Sequence, residues 1–468
     1  MDNKQISGKG GKTVKHNSVA PQGDFSANVP LVTARIQKTI RLILVIITFI
    51  LAFFSIGAEA ASIYYVRTGA TGANNGSDWT NAYSNLPASL TRDATYYVAD
   101  GNYNSHTYND PPSGSSLITL KKATVSDHGT DVGWNNTYGD GQASLGSLAM
   151  VTDYYVIDGA KRNENDWTDG SSYGFRISEV YMNTLNYGHC PDYVTVKYAD
   201  IGGTYSLSYA ANMAVAGFYF GGFSQTCDNW IISRNFVHNV QLVGQMAGVN
   251  NIIWEYNWLG LSWSKEIIRG QIQATNVTMR YNIFKDGCRN DGGPGEQCTG
   301  EVGLFGNQGD TPNFNGFEFY GNIVWKTIDA TNSDYSIGAQ VTSGGKIYNN
   351  TLVNDGKGNG RLWLNSAPGS EIRNNISYFS GGMTSGCEAA TCDGNSIYTL
   401  SPPFINTAGG NFHLTGALQG VSLPSSYNSD MDGKVRGADG VWDRGAFEYV
   451  GGGAGSKTPN PPSIIQVQ

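Results

Sequence analysis

The sequence contains few stretches that favour long helices, and its charge argues against nucleic acid as a partner. With 61 Gly, frequent Asn and many β-branched and aromatic residues, it predicts strands interrupted by turns. Beyond residue 60 the chain keeps 23 Lys and Arg against 35 Asp and Glu, a formal charge of −12. Because binding of nucleic-acid phosphates requires clustered Lys and Arg, we expect no nucleic-acid partner.

The cysteines lack the pattern of a zinc site, since no Cys-x-x-Cys pair is present and no nearby His completes a ligand set. Cys288 and Cys298 bracket one short segment, Cys387 and Cys392 bracket another, and Cys190 and Cys227 remain. Three disulfides, two of them closing local loops, are the simplest arrangement for an exported chain. The sequence leaves their connectivity open.

The N-terminal region has the features of an export signal. Arg35, Lys38 and Arg41 precede the apolar run "LILVIITFILAFFSIGAEA", which ends in the small-x-small site at residues 58–60. This predicts a signal peptide with a long leader, cut after Ala60. An uncleaved anchor is the alternative, because the run approaches the length that spans a bilayer. Either way we expect a secreted or cell-surface protein, which meets a membrane only through an uncleaved N-terminal segment.

Six segments share an apolar alternation followed by Asn, and these asparagines are Asn235, Asn257, Asn282, Asn322, Asn350 and Asn375. Their separations of 22, 25, 40, 28 and 25 residues indicate the period of a solenoid. The interval of 40 becomes one period plus an insertion once the segment between Cys288 and Cys298 is set aside. The chain is therefore predicted to wind through repeated coils.

Positions within the repeat alternate as in a strand. The residue three before each Asn is apolar and should point into the core: Ile232, Trp254, Met279, Phe319, Ile347 and Ile372. We expect each Asn to lie in a tight bend, because Asn tolerates the left-handed backbone region and its amide can bond the same amide of the next coil. In an earlier coil Asp200 is expected to replace it. The six asparagines are thus predicted to be a structural ladder.

These coils, the opening "YYVRTGATGANNGSDWTNAYSNLPASLTRDATYYVADGNY" and the closing "FHLTGALQGVSLPSSYNSDMDGKVRGADGVWDRGAFEY" resemble right-handed parallel β-helix proteins of the pectin-lyase-like superfamily, in a secreted subgroup of unknown activity. The resemblance spans roughly residues 62–450 and implies an all-β, single-stranded right-handed parallel β-helix with N- and C-terminal caps. The predicted divisions are a leader and signal peptide (1–60), an N-terminal cap with the first strands (61–150), coils (151–400), a C-terminal cap (401–450) and a Gly/Pro-rich linker tail (451–468).

Both caps contain residues that fit this role. Trp79, Leu86 and Leu90 are expected to cover the first coil, because a solenoid exposes an open core at each end. In the closing segment a salt-bridged turn is favoured over a calcium loop, since the segment that contains the pair Asp430 and Asp432 is shorter than a full calcium loop. The residues of that turn are Asp430, Asp432, Arg436, Asp443 and Arg444.

The outward column two residues before each Asn is the candidate substrate face. Tyr320, Tyr348 and Arg373 suit sugar binding, because rings cover pyranose faces and Arg binds hydroxyls or carboxylates. The alternative for this column is a cross-strand ion pair, Glu255 with Arg280, followed by an exposed aromatic stack. The column four before Asn predicts a surface salt-bridge ladder through Glu318, Lys346 and Glu371.

The segment "SWSKEIIRGQIQ" supplies candidate catalytic residues. A lyase needs a base for the proton α to a uronate carboxyl, for which we consider Lys265, and a cation that neutralises this carboxyl, for which we consider Arg269 or Arg280. Glu301 or Glu255 would limit solvent access or hold a metal. Resembling lyases use a Lys or Arg base, some with calcium, so calcium is the candidate cofactor, with its ligands undetermined. The alternative is a solvated charged loop.

These features predict a monomeric protein that interacts with an extracellular polysaccharide, with β-elimination of a uronate-containing chain as its candidate reaction. One alternative is a non-catalytic surface or matrix protein with a structural or adhesive role. Another is a glycoside hydrolase with paired carboxylates, disfavoured because adjacent aspartates and a Gly-His-Gly segment, typical of polygalacturonase-like enzymes, are missing.

Overall fold

Short strands make up nearly all of the regular structure. The computed structural model describes residues 38–41, 43, 61–182, 189–202, 216–220, 225–262, 266–270, 273–287, 300–304, 313–327, 335–354, 362–365, 369–378, 391–398 and 400–451. The chain forms two units, Met1–Ala60 and Ala61–Gln468. In the first, residues 38–41 and 43 are helical. Within the described ranges no helix has the length and apolar character needed to span a membrane.

The strands of the second unit follow one another in the order β1 (Ser62–Val66), β2 (Ala94–Val98), β3 (Gly101–Asn102), β4 (His106–Tyr108), β5 (Ile118–Lys122), β6 (Ala143–Leu145), β7 (Leu148–Met150), β8 (Tyr155–Asp158), β9 (Phe175–Ile177), β10 (Val180–Met182), β11 (Val194–Lys197), β12 (Ala199–Ile201), β13 (Ala216–Phe220), β14 (Cys227–Ser233), β15 (Phe236–His238), β16 (Leu242–Met246), β17 (Val249–Glu255), β18 (Trp258–Gly260), β19 (Ile268–Gly270), β20 (Gln273–Arg280), β21 (Ile283–Lys285), β22 (Gly300–Leu304), β23 (Asn313–Asn315), β24 (Glu318–Tyr320), β25 (Ile323–Trp325), β26 (Tyr335–Ser343), β27 (Lys346–Tyr348), β28 (Thr351–Val353), β29 (Leu362–Asn365), β30 (Glu371–Arg373), β31 (Ile376–Tyr378), β32 (Thr391–Asp393), β33 (Ser396–Tyr398), β34 (Phe404–Asn406) and β35 (Asn411–Leu414). Short 3₁₀ helices lie at Asn136–Tyr138, Gly170–Ser172 and Ser425–Tyr427.

Parallel pairing organises β1 to β33 into three long faces, which we call sheets 1, 2 and 3. Sheet 1 contains β1, β2, β5, β8, β11, β14, β17, β20, β24, β27, β30 and β32. Sheet 2 contains β3, β6, β9, β12, β15, β18, β21, β25, β28, β31 and β33. Sheet 3 contains β4, β7, β10, β13, β16, β19, β22, β26 and β29, while β23 joins β20 to the end of β26.

Each coil visits the sheets in turn, from sheet 1 through a tight bend to sheet 2, then to sheet 3 and back. Equivalent residues of successive coils lie side by side at about 4.8 Å, the spacing of paired strands. The residues three before the repeated Asn are all fully buried in the core between the sheets. The predicted all-β, right-handed parallel β-helix is confirmed.

The repeated asparagines form a buried ladder along the bend between sheets 1 and 2. The Oδ1 of Asn282 accepts the backbone N–H of Asn257 at 3.0 Å, and the Nδ2 of Asn282 donates to the Trp254 carbonyl at 2.8 Å. The same contacts recur from Asn235 onward and end at Asn395, which the sequence pattern had not indicated. The ladder satisfies backbone groups that the bend would otherwise leave without partners.

Two details of the ladder differ from the sequence prediction. The left-handed residue is the one before each Asn, for example Arg234 with φ 55° and Tyr281 with φ 56°, so the Asn amide caps the bend without occupying that region. Asp200 does not replace Asn either, because Ala199 occupies the ladder position and Asp200 pairs in register with Phe236. Asp200 instead forms an ion pair with Arg176 and a hydrogen bond with His238 on the outer face of sheet 2.

A disulfide joins two neighbouring coils where they enter sheet 1, between Cys190, four residues before β11, and Cys227, the first residue of β14. Cys392 is also disulfide-bonded. The remaining cysteines at 288, 298 and 387 lie outside the described residues. Of the three predicted disulfides, the one between Cys190 and Cys227 is therefore present.

The C-terminal segment, residues 401–450, runs along the side of the solenoid. It begins with the antiparallel hairpin β34–β35. Its backbone N–H at Ala446 donates to Thr351 Oγ1 at 2.9 Å, and its Ser429 carbonyl accepts the hydroxyl of Tyr281 at 3.1 Å. It covers an apolar outer surface that includes Ile323 and Trp325. This explains why the outer face of sheet 2 carries large apolar residues.

The N-terminal end is covered in part as expected. Leu90 is buried in the main core and Leu86 packs against that core. Trp79 belongs to a separate cluster, with its ring edge-on to Tyr65 at 4.9 Å between centroids. Trp79 therefore holds the loop after β1 against the outer face, while the two leucines pack at the core.

Candidate functional site

The two candidate catalytic residues on sheet 1, Glu255 and Arg280, are bonded to each other. Arg280 donates to Glu255 Oε2 at 2.6 and 2.8 Å and to the Tyr320 hydroxyl at 3.1 Å. Burial lowers the pKa of Arg280, but the hydrogen bonds to Tyr320 and Glu255 together outweigh this and raise the pKa above its usual value. Ser233 donates to the other oxygen of Glu255 at 3.2 Å. This arrangement matches the cross-strand ion pair that was the alternative for this column.

The two predicted sugar-binding tyrosines lie beneath the C-terminal segment. Tyr320 and Tyr348 are 5% and 2% exposed. The ring of Tyr427 stands edge-on to both, with centroids 4.9 Å away in each case. Burial raises the pKa of Tyr320 and of Tyr348. Neither ring offers an open face on which a sugar could stack while the C-terminal segment is in place.

The remaining charges of this face are also paired. Arg373 Nε lies 3.0 Å from Glu371 and 3.2 Å from Asp393. In the column four before Asn, Lys346 pairs with Glu318 at 2.8 Å. Within the described residues, the outer face of sheet 1 from β17 to β32 thus carries a network of ion pairs and buried rings.

Arg269 lies on a different face from Arg280. Arg269 is in β19 on sheet 3, whereas Arg280 ends β20 on sheet 1. Glu301 is in β22, the sheet 3 strand next to β19, and only its backbone is described. Lys265 lies outside the described residues. The predicted set therefore divides into Glu255 and Arg280 on sheet 1, and Arg269 with the Glu301 backbone on sheet 3.

Sheet 3 carries its own outward column on four successive strands. Tyr181, Tyr219, Gln245 and Arg269 are adjacent in register, and all four are partly exposed. The neighbouring inward residues, such as Val180 and Ile268, are fully buried. We call Tyr181, Tyr219, Gln245 and Arg269 the sheet 3 track. Two aromatic residues followed by an amide and a guanidinium provide the side chains that sugar binding requires.

The sequence prediction missed a second polar group at the bend into sheet 1. Asp153 accepts the backbone N–H of Asp192 at 2.9 Å, and Asp192 accepts that of Asp228 at 2.7 Å. Burial raises the pKa of Asp192. Beside them the rings of Tyr154 and Tyr193 stack at 4.9 Å. These carboxylates lie on successive coils and are far apart in sequence. Only the strand register shows that they are neighbours, so no sequence motif indicated them.

The closing segment holds a buried polar network. Arg436 donates to the carbonyls of Asp443, Gly445 and Ala446 at 2.9–3.0 Å and lies 3.6 Å from Glu448. Asp430 accepts the backbone N–H groups of Lys434 and Glu448. The turn is thus held by an ion pair of Arg436 with Glu448, which was not predicted, and by backbone N–H groups that Asp430 and Asp443 accept. In the described range 400–451, the predicted Asp and Arg side chains form no ion pair with one another. Among the described residues, no group of three or more His, Cys, Asp or Glu side chains is placed to hold a metal.

Comparisons with known proteins bear on the fold. No family model matches the chain, and no curated protein matches it. Among solved structures, the crystal structure of pectate lyase Pel9A is similar with a TM-score of 0.54 and 13% identity, over 84% of this chain and 97% of that chain. At this identity the similarity establishes a shared parallel β-helix fold.

Proposed function

We propose that the protein binds an extracellular polysaccharide along the sheet 3 track. The observation that supports this most is the in-register column of Tyr181, Tyr219, Gln245 and Arg269, partly exposed on adjacent strands. Four coils at about 4.8 Å give a path of about 14 Å, long enough for several sugar units. On sheet 1, by contrast, the candidate rings are buried and the charges are paired with one another.

Cleavage of a uronate-containing chain by β-elimination is the activity we assign to this face. Arg269 would neutralise the uronate carboxylate, and Lys265, three residues before β19, would remove the α-proton. A pectate lyase shares the fold, which supports this choice. Glu255 and Arg280 take no part, because they bind each other on another sheet. Export to an oxidising space is supported by the Cys190–Cys227 disulfide.

The test measures cleavage and binding separately. Cleavage is followed by the ultraviolet absorbance of unsaturated uronate on a panel of uronate polysaccharides, with and without calcium. Lys265→Ala and Arg269→Gln should each lower kcat/KM by about 100-fold or more. Arg373→Gln is the matched control, since this partly exposed arginine lies on sheet 1.

Binding is measured by affinity electrophoresis in gels containing the same polysaccharides. Tyr181→Ala and Tyr219→Ala should each weaken binding about tenfold. The control is Tyr193→Ala, which removes a tyrosine that is 47% exposed but lies on the bend outside the track. Equal binding by all three variants and the unaltered protein would overturn the sheet 3 assignment.

A structural or adhesive role is the second candidate, and the paired charges of Glu255, Arg280 and Arg373 favour it. Cross-strand ion pairs of this kind stabilise the sheet, and their charges already have partners within the protein. On this alternative, neither cleavage nor polysaccharide binding is observed on the whole panel.

A further inference from the structure

A cleft of about 350 Å³ opens beside β4, the first strand of sheet 3. Its apolar side is formed by Leu86 and Ala88 from the loop between β1 and β2. Its polar side is formed by residues of β4 and its flanks, among them Asn104, Thr107 and Asn109. We call this the N-terminal cleft.

Three polar side chains of the cleft have no partner in the described chain, whereas Asn85 and Ser105 accept backbone N–H groups. Asn104, Thr107 and Asn109 are exposed, and within the described chain their side chains make no hydrogen bond. Two amides and a hydroxyl therefore offer donors and acceptors to a ligand. None of the residues that line the cleft in the described structure is Lys, Arg, Asp or Glu.

His106 contributes an imidazole that stays neutral. Its Nε2 is buried without a hydrogen-bond partner, and its ring meets Tyr108 edge-on at 4.7 Å. Burial lowers the pKa of His106, so at neutral pH the ring is uncharged. Because Nε2 is shielded, His106 offers the cleft an uncharged ring, which supplies no cation for a carboxylate.

The cleft is aligned with the sheet 3 track. Thr107 pairs with Ala149, and Ala149 pairs with Tyr181, the first member of the track. Thr107 and Tyr181 therefore lie on the same outer face of sheet 3, two coils or about 10 Å apart, with the buried Ala149 between them.

We propose that the N-terminal cleft is a subsite for a neutral sugar unit, which lies at the end of the track opposite Arg269. The inference rests on the proposed function for the identity of the polymer. It narrows the ligand to a polysaccharide that carries neutral units as well as uronates. Leu86 and Ala88 would contact the C–H face of the sugar, and the two amides and Thr107 its hydroxyls, with the uncharged ring of His106 beside them.

The experiment uses the protein labelled with ¹⁵N and ¹³C at histidine, with the His106 ring signals assigned by their loss in His106→Gln. Methyl galactoside, methyl glucoside, methyl rhamnoside and methyl galacturonate are titrated separately into the tens of millimolar. We expect saturable shifts of the His106 signals with at least one neutral glycoside, and at least tenfold weaker binding of the galacturonate.

Two conservative variants keep the test independent of folding. Asn109→Leu and Thr107→Val should each weaken the neutral glycoside at least fivefold. Asn102→Leu is the matched control, because Asn102 is an exposed residue of β3 outside the cleft. No shift with any neutral glycoside, or preference for the galacturonate, would overturn the proposal.

Failure of the cleft and failure of the track give different results. If a neutral glycoside shifts His106 while Tyr219→Ala leaves polysaccharide binding unchanged, the cleft is supported and the track is refuted. If Tyr219→Ala weakens polysaccharide binding while no neutral glycoside shifts His106, the track is supported and the cleft is refuted.

Discussion

Removing one amide from the middle of the Asn ladder should destabilise the solenoid strongly. Asn322 is fully buried, and its Oδ1 accepts the backbone N–H of Asn282 at 2.9 Å and the Nδ2 of Asn282 at 3.1 Å. Its Nδ2 donates to the Met279 carbonyl at 2.8 Å and to Asn350 Oδ1 at 3.1 Å. One side chain therefore connects three successive coils.

The magnitude follows from the groups left without these partners. In Asn322→Ala the N–H of Asn282 and the carbonyl of Met279 lose their hydrogen bonds to the Asn322 side chain, in a bend that water does not reach. Each buried polar group left unsatisfied costs about 1–3 kcal/mol, so we expect the free energy of unfolding to fall by about 2–5 kcal/mol. Asn102→Ala is the matched control: Asn102 is an exposed residue of β3 outside the ladder, so a change within about 0.5 kcal/mol is expected.

Two measurements check this. Urea unfolding followed by circular dichroism gives the change in stability, and hydrogen exchange at the Asn282 amide reports the bend itself, since a solenoid can open locally. Faster exchange at Asn282 and a lower urea midpoint are expected in Asn322→Ala alone. If this variant unfolds with the same midpoint as Asn102→Ala and its Asn282 amide stays protected, the ladder does not stabilise the bend.

Two further predictions concern the C-terminal segment and pH. Tyr427→Phe loses the hydrogen bonds of the hydroxyl to Glu318 and Lys346. Tyr427→Ala also loses two ring contacts worth about 0.5–1.5 kcal/mol each, so a protease should cut the C-terminal segment fastest in this variant. Equal cleavage rates for the two variants would contradict the packing of the Tyr427 ring. Burial lowers the pKa of His106, so as pH falls the imidazole takes up a proton in the unfolded chain before it does so in the folded chain. The stability contributed by the neutral ring is therefore lost as pH falls below about 6.5. Thermal unfolding should therefore show a steeper loss between about pH 7 and pH 5 for the unaltered protein than for His106→Gln, and equal slopes would contradict this.

The solenoid was predictable because its signals are local. An apolar residue three before Asn, as at Trp254 and Met279, marks the inward position of a strand, and the repeated Asn marks the bend. Both lie within a few residues of each other. Asn395 was missed because its coil has Cys392 at the inward position, where the other coils have larger apolar residues.

The candidate site was less predictable because it depends on contacts between distant parts of the chain. Tyr320 and Tyr348 occupy an outward position, yet Tyr427 covers them, and no periodicity reports the path of the C-terminal segment. Arg269 and Arg280 are close in sequence but lie on different sheets, because β19 ends at Gly270 and β20 begins at Gln273. Residues 271 and 272 are Gln and Ile, with no Gly, Pro or Asn to signal a change of sheet, so the two arginines looked like members of one face.

The order of side chains along the sheet 3 track has a consequence for how a polysaccharide would lie there. Tyr181 and Tyr219 come first, and Arg269 lies three coils after Tyr181. Rings bind the apolar faces of sugars whatever their charge, whereas a guanidinium favours a carboxylate, so the two ends of the track prefer different units. On the proposed function, an oligosaccharide with a uronate at one end only should bind in a single orientation, and Arg269→Gln should remove that preference while leaving affinity for neutral oligosaccharides unchanged.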